Sequence, residues 1–234
     1  MPIPRCVRCG FWILTAILFI ACLGMMWFYT PVEATMGPIQ KIFYLHLPVA
    51  INAFVAAFVV CVASVGYLWQ RSLAWDDLAS AAGKVTALFC AVVLITGTIW
   101  AKKAWNAWWT WSPRLTFSLV LFLLYAVYLM IRPAIESPQR RAIVCAVYGI
   151  AAFIDVPVVY LSVRMMPDVH PSSIELAAEM KRTLLVWFLP VTLLMVGLVY
   201  DRYEVNRLLR AQAERRASEA PHTAVTTTSV GESA

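Results

Sequence analysis

Charge is what this chain has least of. Only 14% of its 234 residues are Asp, Glu, Lys or Arg, against 62% that are hydrophobic, a balance that excludes an ordinary soluble domain of this length. Acid is scarcer than base, with 13 carboxylates against 19 Lys and Arg. No Gly-x-x-x-x-Gly-Lys run is present, so any ATP would have to be used by a partner. No nucleophile or acid/base pair stands out, so the chain reads as a non-enzyme, and nothing points to nucleic acid. Histidine is also rare, at three residues: His46, His170 and His222.

Long apolar runs are what the chain does have. A bilayer core about 30 Å thick needs roughly 20 apolar residues per helix, and six runs qualify: Phe11–Tyr29, Ile42–Trp69, Val85–Trp100, Leu115–Ile131, Ala142–Val163 and Leu184–Tyr200. The expectation is an all-α membrane protein. It has a short N-terminus over 1–10, a six-helix domain over 11–200 and a tail over 201–234. The third span is short and the second long. Asp201–Arg216 reads as a short charged helix, and Ala217–Ala234 as a disordered tail that includes His222. Arg5 and Arg8 ahead of the first run also suit a signal peptide. A retained helix fits better, because no small-residue cleavage pattern closes the run.

Basic residues are retained on the cytoplasmic side of short loops. With the N-terminus inside, twelve of the nineteen fall on the cytoplasmic face and seven, Lys41, Lys102, Lys103, Arg114, Arg164, Lys181 and Arg182, on the other. Both termini are therefore expected in the cytoplasm of a cell whose inner membrane holds the chain. Parity then puts the first, third and fifth loops together outside. His46 opens the second helix there, a tryptophan-rich loop over 100–116 fills the third loop, and His170 sits in the fifth.

Four of the six cysteines, Cys22, Cys61, Cys90 and Cys145, lie within spans as small core residues. Cys6 and Cys9 form a Cys-x-x-Cys pair without a matching second pair, on the reducing side. Tryptophan gathers at membrane interfaces in any membrane protein, so an aromatic belt is one reading of the third loop. The other is a ligand shelf. If the loop is helical, Trp105, Trp108 and Trp109 share a face, a flat apolar surface lying on the membrane. Two histidines flank it, and imidazole is a standard axial ligand of haem iron. Lys102, Lys103 and Arg114 are placed to pair with propionates. No Cys-x-x-Cys-His is present, so haem is not held covalently by that motif.

The run Trp100-Ala-Lys-Lys-Ala-Trp105-Asn-Ala-Trp108-Trp109-Thr-Trp111-Ser-Pro-Arg114-Leu-Thr116, with Tyr44, His46 and Pro48 before it and Val156, Pro157, Ser162, Val163 and His170 after it, resembles the tryptophan-rich haem-handling proteins of cytochrome c maturation. Among these it is similar to the CcmC family of haem exporters, from the second helix to the sixth. The resemblance implies non-covalent, transient haem b at the outer face, with His46 and His170 as axial ligands and Trp105, Trp108, Trp109, Trp111 and Arg114 as the platform. It also implies delivery to a CcmE-like haem chaperone, beside the ATPase and membrane subunits of an ABC transporter and a small membrane protein.

Ser112 departs from the family pattern, which has Asp there. Serine is also a good N-cap, and Pro113 suits the first helical position. Asp155, inside the fifth span and expected near its outer end, is a functional residue by default; pairing with a neighbouring helix, or a local opening at Pro157, is the structural reading. A haem lyase of the same superfamily, a transport permease and a b-type electron carrier are the alternatives. The lyases carry extra histidines that this chain lacks, and a carrier would want its histidines within the spans.

Overall fold

A computed structural model describes residues 4–166, 170 and 175–219, without the side chain of Val163. The helices are α1 (Arg5–Gly24), α2 (Phe43–Gln70), α3 (Leu73–Trp105), α4 (Pro113–Ile131), α5 (Pro138–Phe153), α6 (Asp155–Met165) and α7 (Ala178–Glu219). Counting α5 and α6 as one span, six stretches are long and apolar enough to cross a membrane, and no strand is present among the described residues. His222 and most of the tail lie outside the described residues.

α2 is the centre of the bundle, packed against α3, α5 and α7. Its buried face carries Ala53, Ala56, Ala57, Val60, Ala63 and Ser64, and side chains this small let helix backbones approach closely where no water drives them together. On the periphery, Gly197 of α7 makes room for α1: a Cβ there would stand 2.5 Å from Phe11 Cε1.

The helix ends differ from the sequence expectation at α3 and α7, and the fifth span opens beside Pro157, one of the readings the sequence offers. α3 begins at Leu73, so the third span is among the long ones and not the short one. Its first turns hold Asp76 and Asp77 in buried positions, where hydropathy alone reads a loop. The expected separate helix of Asp201–Arg216 is instead the end of α7, which runs unbroken through Tyr200 to Glu219; Ala217 to Glu219 are therefore helical. The fifth span breaks at Ile154. Pro157 has no N–H to give the carbonyl one turn back, and the ladder restarts at Asp155 with the proline in its first turn, where no donor is required. Asp155 stands seven residues, about 10 Å at 1.5 Å per residue, from the Ser162 end of the span Pro138–Ser162, in the half that leads to the cleft. It is buried, and its Oδ2 has no hydrogen-bond partner among the described residues.

Candidate functional site: an aromatic cavity between two histidines

The start of α2, the end of α3, the start of α4 and the end of α6 come together at one end of the bundle. Between them lies a cavity of about 310 Å³, at the lower end of the size range for small-molecule sites. His46, in the first turn of α2, and His170, beyond α6, both line it. Trp100 joins them, its ring centroid 6.3 Å from that of His46 and 6.2 Å from that of His170. Trp105 lies next, its ring tilted to Trp100 at 6.3 Å and edge-on to His170 at 6.4 Å. The walls continue inward through Ala53, Cys90 and Leu121, so the site is a cleft reaching into the bundle and not the flat shelf that the loop sequence suggests.

The tryptophan run divides at Asn106. α3 stops at Trp105 because Asn106 takes the left-handed conformation, with φ 54°, which asparagine tolerates better than most residues. The following residues are not helical. Trp105, Trp108 and Trp109 therefore do not share a helical face. Trp105 and Trp109 line the cavity, while Trp108 and Trp111 are 62% and 76% exposed and do not. Trp111 instead packs edge-on against Trp109, at 5.8 Å.

The cations divide in the same way. Lys102 turns back on its own helix end, donating to Asn106 Oδ1 at 3.1 Å and Asn106 O at 3.3 Å, and Lys103 is exposed. Neither lines the cavity. Arg114 does, and its Nη2 donates to Tyr160 O at 3.1 Å, joining α4 to α6. Arg164 lines it as well, its guanidinium 5.3 Å from the Tyr160 ring centroid. Sequence reasoning counts Arg164 only among the outer cations; its signal is a place one turn beyond Tyr160 at the end of the span.

Two indole nitrogens of the cavity wall are among the buried side-chain atoms left without a partner. The indole Nε1 atoms of Trp100 and Trp109 find no acceptor among the described residues, and a buried polar group without a partner costs about 1–3 kcal/mol. No carboxylate is present among the described lining residues. Apolar walls, two arginines, two idle N–H donors and two imidazoles suit a flat apolar molecule with anionic edges and a metal centre, which is the chemistry of haem. Ser112 is the N-cap of α4, with Pro113 following as expected and Thr116 N bonding to its carbonyl at 3.0 Å, but its hydroxyl does not cap the helix. Asp168 and Pro171 lie outside the described residues. Cys6 and Cys9 are exposed free thiols on α1, far along the chain from this end.

Fold and site together define an integral membrane protein of six spans with one histidine-flanked aromatic cleft at one end. The profile of the family described as heme exporter protein C, CcmC, matches residues 3–220, and the chain belongs to that family. It is 30% identical over 212 residues to the heme exporter protein C of Rhodobacter capsulatus, covering 88% of this chain and 86% of that one. Identity to the heme exporter protein C of Bradyrhizobium diazoefficiens is 32% over 225 residues, with 88% and 84% covered. With that of Escherichia coli it is 29% over 178 residues, with 73% and 72% covered. It is a protein of the inner membrane.

Proposed function

We propose that this chain binds haem b non-covalently in the cleft and hands it on during c-type cytochrome maturation. The observation that carries the reading is that both histidines, three tryptophans and two arginines, distant in the chain, line one cavity built from four helix ends. His46 and His170 are the axial ligands, Trp100, Trp105 and Trp109 cover the ring, and Arg114 and Arg164 receive the propionates. Lys102 and Lys103 are directed elsewhere and do not share that role. Trp108 and Trp111, on the surface beside the cleft, are left for the approach of a partner.

The family resemblance supports the wider context. The N-terminus is cytoplasmic, the cleft faces the periplasm, the recipient is a CcmE-like haem chaperone, and ATP is used by the neighbouring ABC transporter subunits, with a small membrane protein alongside. The chain itself acts as a scaffold and not as an enzyme: it orients the cargo and releases it.

The test is the visible spectrum of the protein purified in mild detergent from haem-replete cells, oxidised and reduced, beside His46→Ala and His170→Ala. Sharp b-type bands in the wild type that fade or shift in either variant are the expected result. Full haem retention by the double variant removes the axial ligands from the reading, and a wild type that takes up no added haemin removes haem itself.

A further inference from the structure

His46 leans on α3 at Thr96 and Gly97, two residues that the tryptophan signature does not include. Its Nδ1 is 2.8 Å from Thr96 Oγ1. That same hydroxyl lies 2.7 Å from Val92 O and 3.3 Å from Val93 O, the back-bonding to the previous turn that threonine adopts in helices. A hydroxyl owns one proton. With that proton directed to Val92 O, the oxygen meets His46 as an acceptor, so Nδ1 carries the ring hydrogen and Nε2 is left with the lone pair. Gly97 supplies the space: a Cβ there would stand 3.3 Å from His46 Cε1, tight enough to push the ring away.

We propose that Thr96 is a positioning residue that fixes His46 as the Nδ1–H tautomer, seated on Gly97, so that Nε2 is the nitrogen offered to a metal. The tautomer rests on hydrogen-bond geometry alone; what Nε2 receives rests on the haem reading above. Metal-binding histidines ordinarily have their second ring N–H held by an acceptor, and removing that acceptor weakens metal binding about 10–100-fold. A neutral hydroxyl orients the ring without the gain in basicity that a carboxylate confers. That suits a site which must let its cargo go.

The experiment uses the full chain in lipid nanodiscs, without haem, labelled with 15N at histidine and held at mildly alkaline pH, where imidazole is neutral. His46→Ala assigns the signal. The wild type is expected to show a pyrrole-type Nδ1 and a pyridine-type Nε2. Thr96→Val, of the same shape without the hydroxyl, should mix the tautomers, and Thr96→Ser should restore the wild-type pattern. Haemin titration of the same proteins should show affinity roughly tenfold or more weaker in the valine variant and near wild type in the serine variant. A pyrrole-type Nε2 in the wild type overturns the proposal, whatever the variants do. A valine variant with wild-type tautomer and affinity overturns it as well. The expected tautomer with no haemin binding at all overturns the haem reading instead, so the two failures are told apart.

Discussion

At the end of the bundle away from the cleft, Arg132 meets Asp76 at 2.6 Å and Tyr128 OH at 3.1 Å, Arg210 meets Asp77 at 2.9 Å, and Arg8 meets Asp201 at 2.9 Å. Asn206 and Lys84 extend the network, through Asp77 O and Asn206 Oδ1. At the cleft end, Lys41 lies 4.6 Å from the ring centroid of Trp27, Arg164 lies over Tyr160, and two indole N–H groups have no acceptor among the described residues. One end answers charge with charge, giving the buried carboxylates Asp76 and Asp77 an arginine each. The other answers it with aromatic faces and leaves donors idle. The two ends are thus distinguishable by how each meets its cations, with carboxylates at one and with aromatic rings at the other.

Breaking the closed end should have the largest effect. Arg132→Met strands Asp76, which is 4% exposed, and removing one partner of a buried pair costs about 3–5 kcal/mol. Thermal unfolding of the detergent-solubilised protein should register that loss, while Asp76→Asn combined with Arg132→Met recovers much of it. An unchanged melting temperature in the single variant would mean that charge pairing does not hold this end.

At the open end the effect should move from stability to binding. Arg164→Gln is expected to weaken haemin affinity about tenfold, or ~1.4 kcal/mol, the size of effect that follows from removing one charge-assisted hydrogen bond, with little change in melting. Lys103→Gln, on the same surface but outside the cleft, should leave affinity untouched. Equal reductions in both would show that the outer cations act as a diffuse field and not through defined pairs.

The smallest change is expected at Ser112. Its hydroxyl is buried and makes no cap, and a carboxylate at the N-terminus of α4 is favoured by about 0.3–1 kcal/mol, so Ser112→Asp should alter stability by no more than about 1 kcal/mol and leave the level of protein in membranes unchanged. Failure of that variant to accumulate would reveal a structural demand that the position does not display.

Hydrophobic runs long enough for a bilayer make the six spans legible in the sequence, and parity brings His46, the tryptophan run and His170 to one end. What escapes depends on partners distant in the chain. The first turns of α3 contain Asp76, Asp77 and Lys84, which look like a loop until Arg132, Arg210 and Asn206 arrive from other helices to match them. Trp108 and Trp111 fall outside the cleft because a single residue, Asn106, ends the helix by its backbone conformation. Thr96 and Gly97 are invisible as site residues in the sequence, since a hydroxyl and a glycine in an apolar run gain meaning only when an imidazole from another helix rests on them.

In mechanical terms α7 is a single rod. At 1.5 Å per residue its 42 residues run to about 63 Å, roughly twice the thickness of a bilayer core. The portion from Asp201 to Glu219 overhangs the last span by about 28 Å. Pro190 removes one rung of the ladder but is fully buried among neighbouring side chains, so the rod is not parted there. The Arg210–Asp77 pair therefore moors that overhang to the first turns of α3, at the opposite end of the bundle from the cleft, while the same unbroken helix begins at Ala178.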